Sequence, residues 1–239
     1  MTPTDPRAQA APLLDDAQTD RLAEVLRSPF EVLPQIPSTN DELVERAQRA
    51  ARRGQPLPDL SLLAAAIAQT LRAQGIEASL KWPNDVLVET GSGFRKICGV
   101  LASLVVHDGS APALVLGAGL NVAVAPEGAA SVRGEGSEAS RGDLLVEIAE
   151  RFTALYRLFA ESPESLTGPG ELRAAVEQLL STLGRRVRAE LPGGQAPLEG
   201  VAVGLDERGA LLIDHDGGRT AVSAADVVHL RPIEEGDRA

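Results

Sequence analysis

Lysine is nearly missing from this chain. Lys81 and Lys96 are the only two, and every other basic side chain is arginine. Both lie in one stretch, Ser79 to Asn121, which also holds the only tryptophan (Trp82) and the only cysteine (Cys98). A lone cysteine cannot make an internal disulfide, which fits a reducing compartment and sets the expectation of a cytoplasmic protein. Three histidines (His107, His215, His229) show no metal-ligand spacing, so no metal site is expected. Aromatic residues make up 3% of the chain, so a core must be built from Leu, Val, Ala and Ile. No run approaches the roughly 20 apolar residues of a membrane span, and MTPTDPRAQA at the start has no apolar signal core. No membrane partner is expected. A net charge of −11, without any basic patch, argues against DNA as a partner. No helix-turn-helix is expected ahead of the core.

What is present is length enough for one sizeable core and a small second unit. Residues 1–17, rich in Pro, Ala, Asp and Gln, read as a flexible tail. Thr19 to Leu26 predicts a short helix, and Phe30 to Ile36 a strand. Ser38-Thr39-Asn40-Asp41 then precedes an amphipathic helix ending near Arg52. These are favoured N-cap residues. They are also hydroxyls, an amide and free backbone N–H groups that could anchor a small ligand. A second helix starts at Asp59 and closes at Gly75. Pro126 to Arg141 is polar and Gly-rich, which predicts a mobile loop. Ser140 and Asp143 form a capping pair for a helix that turns Leu144, Leu145, Ile148, Phe152, Leu155 and Phe159 inward. Leu172 to Leu183 predicts a last helix.

Beyond Gly184 the texture changes. Five short apolar segments separated by Gly-rich turns predict strands near 185–190, 198–205, 211–214, 219–222 and 227–230. That pattern reads as a small all-β barrel.

The central stretch is extended at Ser79–Trp82, because Pro83 keeps Trp82 out of the helical region. Pro83-Asn84-Asp85 is turn chemistry. Val86–Glu89 returns as a strand, Gly91-Ser92-Gly93 makes a hairpin loop, and Ile97–Val106 and Leu114–Val122 are buried strands. Gly117 and Gly119 interrupt the last one, either as simple bends or as a close ligand approach. Lysine presents a compact point charge where arginine presents a planar fork. Two lysines in an arginine-rich chain therefore suggest that an ammonium is needed here, although chance placement explains them as simply. Cys98, among apolar neighbours, reads as buried rather than nucleophilic.

These residues resemble the biotin–protein ligases. The resemblance starts at Ser38-Thr39-Asn40 and runs through Lys81-Trp82-Pro83-Asn84-Asp85. Arg95-Lys96 with Gly99-Val100-Leu101, and Gly117-Ala118-Gly119-Leu120-Asn121-Val122, extend it. Gly209-Ala210-Leu211-Leu212 with Asp216-Gly217 resembles the family's SH3-like C-terminal domain. The fold implied is α+β: a mixed sheet with helices on one side, shortened, plus a small SH3-like β-barrel. The domains implied are a tail at 1–17, a ligase-like catalytic domain at 18–183, the SH3-like domain at 184–232 and a tail at 233–239.

The activity implied is ATP-dependent activation of biotin to biotinyl-5′-AMP, with Mg²⁺ accompanying the ATP, and transfer to a lysine of a biotin carboxyl carrier protein. In that scheme Lys81 is the catalytic cation, touching biotin's carboxylate and the α-phosphate. Ser38, Thr39 and Asn40 hold the ring end of biotin. Asn84, Arg95, Lys96, Gly117, Gly119 and Asn121 lie toward the nucleotide, although Asn84 could equally shape the turn and Arg95-Lys96 a solvated hairpin. Trp82 reads as packing. The family's Gly-Arg-Gly-Arg-x-Gly-Arg loop and its two flanking strands have no counterpart between Asp41 and Leu80. Because that loop closes over the adenylate, the expectation is weak or absent ligase activity, recovered by a loop inserted between Gly54 and Pro56. Two alternatives share the fold: an inactive homologue that binds a carrier domain or a small acyl ligand, and a lipoate ligase-like acyltransferase. Exposed sheet edges would permit a homodimer.

Overall fold

The computed structural model describes residues 13–28, 30–33, 38, 41–44, 60–91, 93–106, 112–163, 170–207, 209–223 and 226–229. Helix α1 (Asp16–Leu26) starts earlier than predicted, inside the expected tail. The cause is a capping box. Asp15 accepts from the Gln18 N–H at 2.8 Å, and Gln18 Oε1 accepts from the Asp15 N–H at 3.0 Å. Residues 30–33 have no regular structure, so the described part of the expected Phe30–Ile36 strand is not one. Residues 41–44 are helical, and the rest of that expected helix lies outside the described residues. Helix α2 (Leu60–Ala73) has Gly75 beyond its end at φ +80°, a conformation glycine adopts without Cβ strain.

Four antiparallel strands follow: β1 (Ala78–Lys81), β2 (Asp85–Thr90), β3 (Gly93–Val105) and β4 (Ala113–Leu120), in the order β1-β2-β3-β4. Helix α3 (Arg141–Glu161) begins at Ser140, whose Oγ accepts from the Asp143 N–H at 3.1 Å, as the capping pair predicts. One face of the sheet is sealed by helices. Val86, Val88, Cys98 and Val100 pack with Ile67 and Leu71 of α2 and Leu144 of α3. Leu145, expected inward, is 38% exposed. Helix α1 lies on α3 through Leu22 and Ala149, with Gln18 Nε2 donating to Asp143 Oδ1 at 2.7 Å.

The last predicted helix is shorter than its apolar pattern suggests. Helix α4 is Glu171–Glu177. Residues 179–181 turn instead toward β1. Leu80 donates to Leu179 O at 2.7 Å and accepts from the Ser181 N–H at 2.8 Å. Pairing an open strand edge satisfies both backbones, and this pairing replaces the next helical turn. Five strands then form a second sheet: β5 (Arg186–Glu190), β6 (Leu198–Leu205), β7 (Leu211–His215), β8 (Gly218–Val222) and β9 (Asp226–His229), ordered β8-β7-β6-β5-β9. Val187, Ala189, Ala202, Leu211, Ile213 and Val227 form its core, and Trp82 inserts among them.

Candidate functional site

The strand register lines up one row of residues across all four strands of the first sheet. Lys81 pairs with Asp85, Asp85 with Gly99, and Gly99 with Gly119. Directly opposed residues point to the same side of a sheet. The row therefore lies on the face away from the helices, because Val86, Cys98 and Val100 point the other way into the core. A cation stands at one end, a carboxylate follows, and two glycines without side chains lie beyond it. A Cβ at Gly119 would meet nothing within 4 Å, so the space above it is open.

Lys96 joins this row through an irregularity. The pairing shifts between Val86 and Leu87: Val86 pairs with Cys98, but Leu87 pairs with Lys96, leaving Ile97 as the extra residue of a β-bulge. Lys96 and Gly99 are three apart and would face opposite sides of a regular strand. The bulge puts both on the row side. Lys96 Nζ reaches Asp85 Oδ1 at 2.6 Å. A Cβ at Gly99 would lie 3.0 Å from both Lys96 Cε and Nζ, so the glycine makes room for this pair.

Lys81 is fixed from both sides. Its predecessor Leu80 is bound to Leu179 and Ser181, and Ser181 Oγ also donates to Leu80 O at 3.0 Å. Its successor Trp82 donates its backbone N–H to Thr182 Oγ1 at 3.0 Å and its indole Nε1–H to Gly209 O at 2.9 Å. The Trp82–Pro83 peptide is cis. Asn84 closes the turn: its Nδ2 donates to Val100 O at 3.0 Å, and its carbonyl accepts from the Val100 N–H at 2.8 Å.

The other predicted residues separate into groups. Gly117 pairs with Leu101 on the row side of β4. Asn121, just past β4, donates from Nδ2 to Ala130 O at 3.0 Å. Arg95 pairs with Val88, which places it on the helix side, where its guanidinium meets Glu135 at 2.6 Å. The structure therefore separates Arg95 from Lys96. Ser38 Oγ accepts from the Asp41 N–H at 3.2 Å, a helix cap. Thr39 and Asn40 lie outside the described residues.

The expected mobile loop is a correction. Ala130 donates to Lys96 O at 2.8 Å, Val132 to Asn121 O at 2.9 Å and Arg133 to Val122 O at 3.0 Å, while Ala130, Ser131 and Val132 are buried. The segment is polar in composition, yet its backbone groups find strand-end partners.

A cavity of about 200 Å³ adjoins the β1–β2 turn and includes Lys81, Asn84 and Asp85 in its lining. Its far wall comes from α4 (Arg173, Val176) and the β6–β7 turn (Leu205, Asp206, Gly209). Among the described residues its lining includes neither Ser38 nor Asn121. Cys98 sits on the core side of the row. Burial pushes its thiol up to about 12, against a smaller opposing pull from Lys96, so it is no nucleophile. Sequence reasoning missed Arg173, because nothing local links it to a turn more than thirty residues away.

Residues 182–230 match the biotin protein ligase C terminal domain family. The chain is 37% identical over 169 residues to a biotin–[acetyl-CoA-carboxylase] ligase of Mycobacterium tuberculosis, covering 69% of this chain and 58% of that one. It is 28% identical over 159 residues to the bifunctional ligase/repressor BirA of Escherichia coli, covering 63% and 46%. The chain thus spans about half the length of these curated relatives. A solved structure of a biotin protein ligase from Aquifex aeolicus in complex with biotin and ATP superimposes with a TM-score of 0.55 at 26% identity, covering 72% of this chain and 71% of that one.

Proposed function

We propose that this chain, which belongs to the biotin protein ligase family, binds biotin and ATP along the Lys81–Gly119 row and joins them there. In the first step a carboxylate oxygen of biotin attacks the α-phosphorus. The bond from that phosphorus to the bridging oxygen breaks, and pyrophosphate leaves with the electron pair. In the second step the neutral amine of a carrier-protein lysine attacks the anhydride carbonyl. The carbon–oxygen bond breaks, AMP leaves, and the amine proton passes to solvent.

Two anions must approach one another in the first step, and charge builds on phosphorus oxygens. Lys81 serves both needs, since one ammonium can touch a carboxylate and a phosphate together. Gly119, with open space above it, lets a flat ligand lie against backbone, and Gly99 makes room for the Lys96 ammonium beside Asp85. The family resemblance assigns Lys96, Gly117 and Asn121 to the nucleotide, and Ser38, Thr39 and Asn40 to the ring end of biotin. Arg95 faces away and Asn84 is engaged by Val100, so both shape the site rather than touch substrate. Among the described residues no group of three or more His, Cys, Asp or Glu could hold a metal. Mg²⁺ bound with ATP would supply charge neutralisation at the phosphates, beside Lys96 and Asn121. The acceptor is a biotin carboxyl carrier domain, the setting is cytoplasmic, and a boundary near Gly184 separates the two units.

The alignment of Lys81, Asp85, Gly99 and Gly119 carries this reading. Biotin-dependent ATP–pyrophosphate exchange tests it. Lys81→Met should lose on the order of a hundredfold or more in exchange rate with an unchanged circular dichroism spectrum. Exchange at the parent rate in Lys81→Met refutes it.

A further inference from the structure

We propose that Arg173 is a positioning residue for Lys81, acting with Trp82 as a two-point latch on the β6–β7 turn of the C-terminal sheet. The inference rests on the role given to Lys81 above. Arg173 lies on α4, on the catalytic side, with a side chain 15% exposed. One terminal nitrogen donates to Asp206 O at 2.9 Å, the other donates to Leu205 O, and Nε binds Glu177 at 3.0 Å. The guanidinium fork thus holds two consecutive carbonyls of one turn, a geometry an ammonium cannot copy.

Trp82, the residue after Lys81, reaches the same turn from the other side through Gly209 O. Asp206 in turn organises the turn internally, accepting the Ala210 N–H on Oδ1 at 2.9 Å. Lys81, Trp82, Arg173, Leu205, Asp206 and Gly209 all border the same cavity. Any shift of the turn moves the tryptophan ring, and the ring is one peptide unit from the lysine. A stable second sheet thereby becomes a reference surface for a cation on the first.

The chain offers a readout independent of activity, because Lys81 and Lys96 are its only lysines. Lys96 is held by Asp85, away from the latch, and serves as an internal control. Arg173→Met should change the acylation rate of Lys81 severalfold under limiting amine reagent, leave Lys96 unchanged, and red-shift Trp82 emission. In exchange assays kcat should fall on the order of tenfold to a hundredfold, with the KM for biotin within about threefold, because misplacement by about 1 Å costs rates of that size. Arg173→Lys keeps the charge but loses the fork; it should behave like Arg173→Met and serves if the methionine variant does not fold. Unchanged Lys81 labelling and kcat with only a lower Tm overturn the latch. Altered labelling and emission in a chain whose parent shows no exchange uphold the latch and sink the catalytic reading instead.

Discussion

Replacing Trp82 tests whether the two sheets are mechanically one object. The side chain is 6% exposed and packs with Val187, Leu211 and Ile213 of the second sheet while belonging to a turn of the first. Trp82→Ala removes a buried aromatic body, a change that costs roughly 3–5 kcal/mol when the site cannot collapse. It also strips Gly209 O of its donor, adding about 1 kcal/mol. Trp82→Phe keeps most of the ring and loses the indole N–H, so the cost falls to about 1–2 kcal/mol. For a chain of 239 residues, each kcal/mol shifts Tm by about 2–4 °C. Scanning calorimetry should therefore show a fall of roughly 2–8 °C for phenylalanine and at least about 8 °C for alanine. The alanine variant should also broaden or split the transition as the second sheet melts apart from the first. If Trp82→Ala melts within about 1 °C of the parent in a single transition, the buried indole does not join the two sheets.

Other outcomes follow from the same geometry. With its thiol pushed up from an ordinary value of 9.0 to about 12, Cys98 should react with a disulfide reagent at pH 8 about a thousandfold more slowly than a free thiol, because reaction needs thiolate; a fast native reaction contradicts its burial. The sign for stability is that of a raised group. The contribution is complete below pH 9 and is lost as pH climbs toward 12, so Cys98→Ala should flatten that alkaline decline in urea midpoints. Gly200→Ala should destabilise the second sheet by at least about 1–3 kcal/mol, since its Cβ would collide with Asp214 O and Ile213 Cγ2; an unchanged urea midpoint refutes this. Finally, on the proposed activity, a chain without an Arg-rich loop over the site should lose biotinyl-adenylate to solution faster than it transfers it. Insertion of such a loop between Gly54 and Pro56 should raise carrier biotinylation at least tenfold by mass spectrometry.

Much of this arrangement was legible from residues close in sequence. The cap at Ser140, the turn at Pro83–Asn84, the strands of both sheets and the burial of Cys98 all follow from local chemistry. What escaped is non-local. Trp82 read as packing, but its partner Gly209 is 127 positions away. The helix expected to run to Leu183 is cut short because Leu80 competes for its backbone. The polar segment 126–141 looked mobile because composition says nothing about strand ends waiting for donors. Arg95 and Lys96 looked equivalent as neighbours, and only the register shows that they serve opposite sides.

The surplus residue at Ile97 lets two consecutive side chains, Ile97 and Cys98, enter the core while Lys96 and Gly99 on either side of them share the opposite face. Pairing the strand regularly with every residue kept would leave its composition unaltered, and a hydropathy profile would register nothing. Yet Lys96 and Gly99, three positions apart, would then face opposite sides of the sheet, and the contact of Lys96 with Asp85 would be lost.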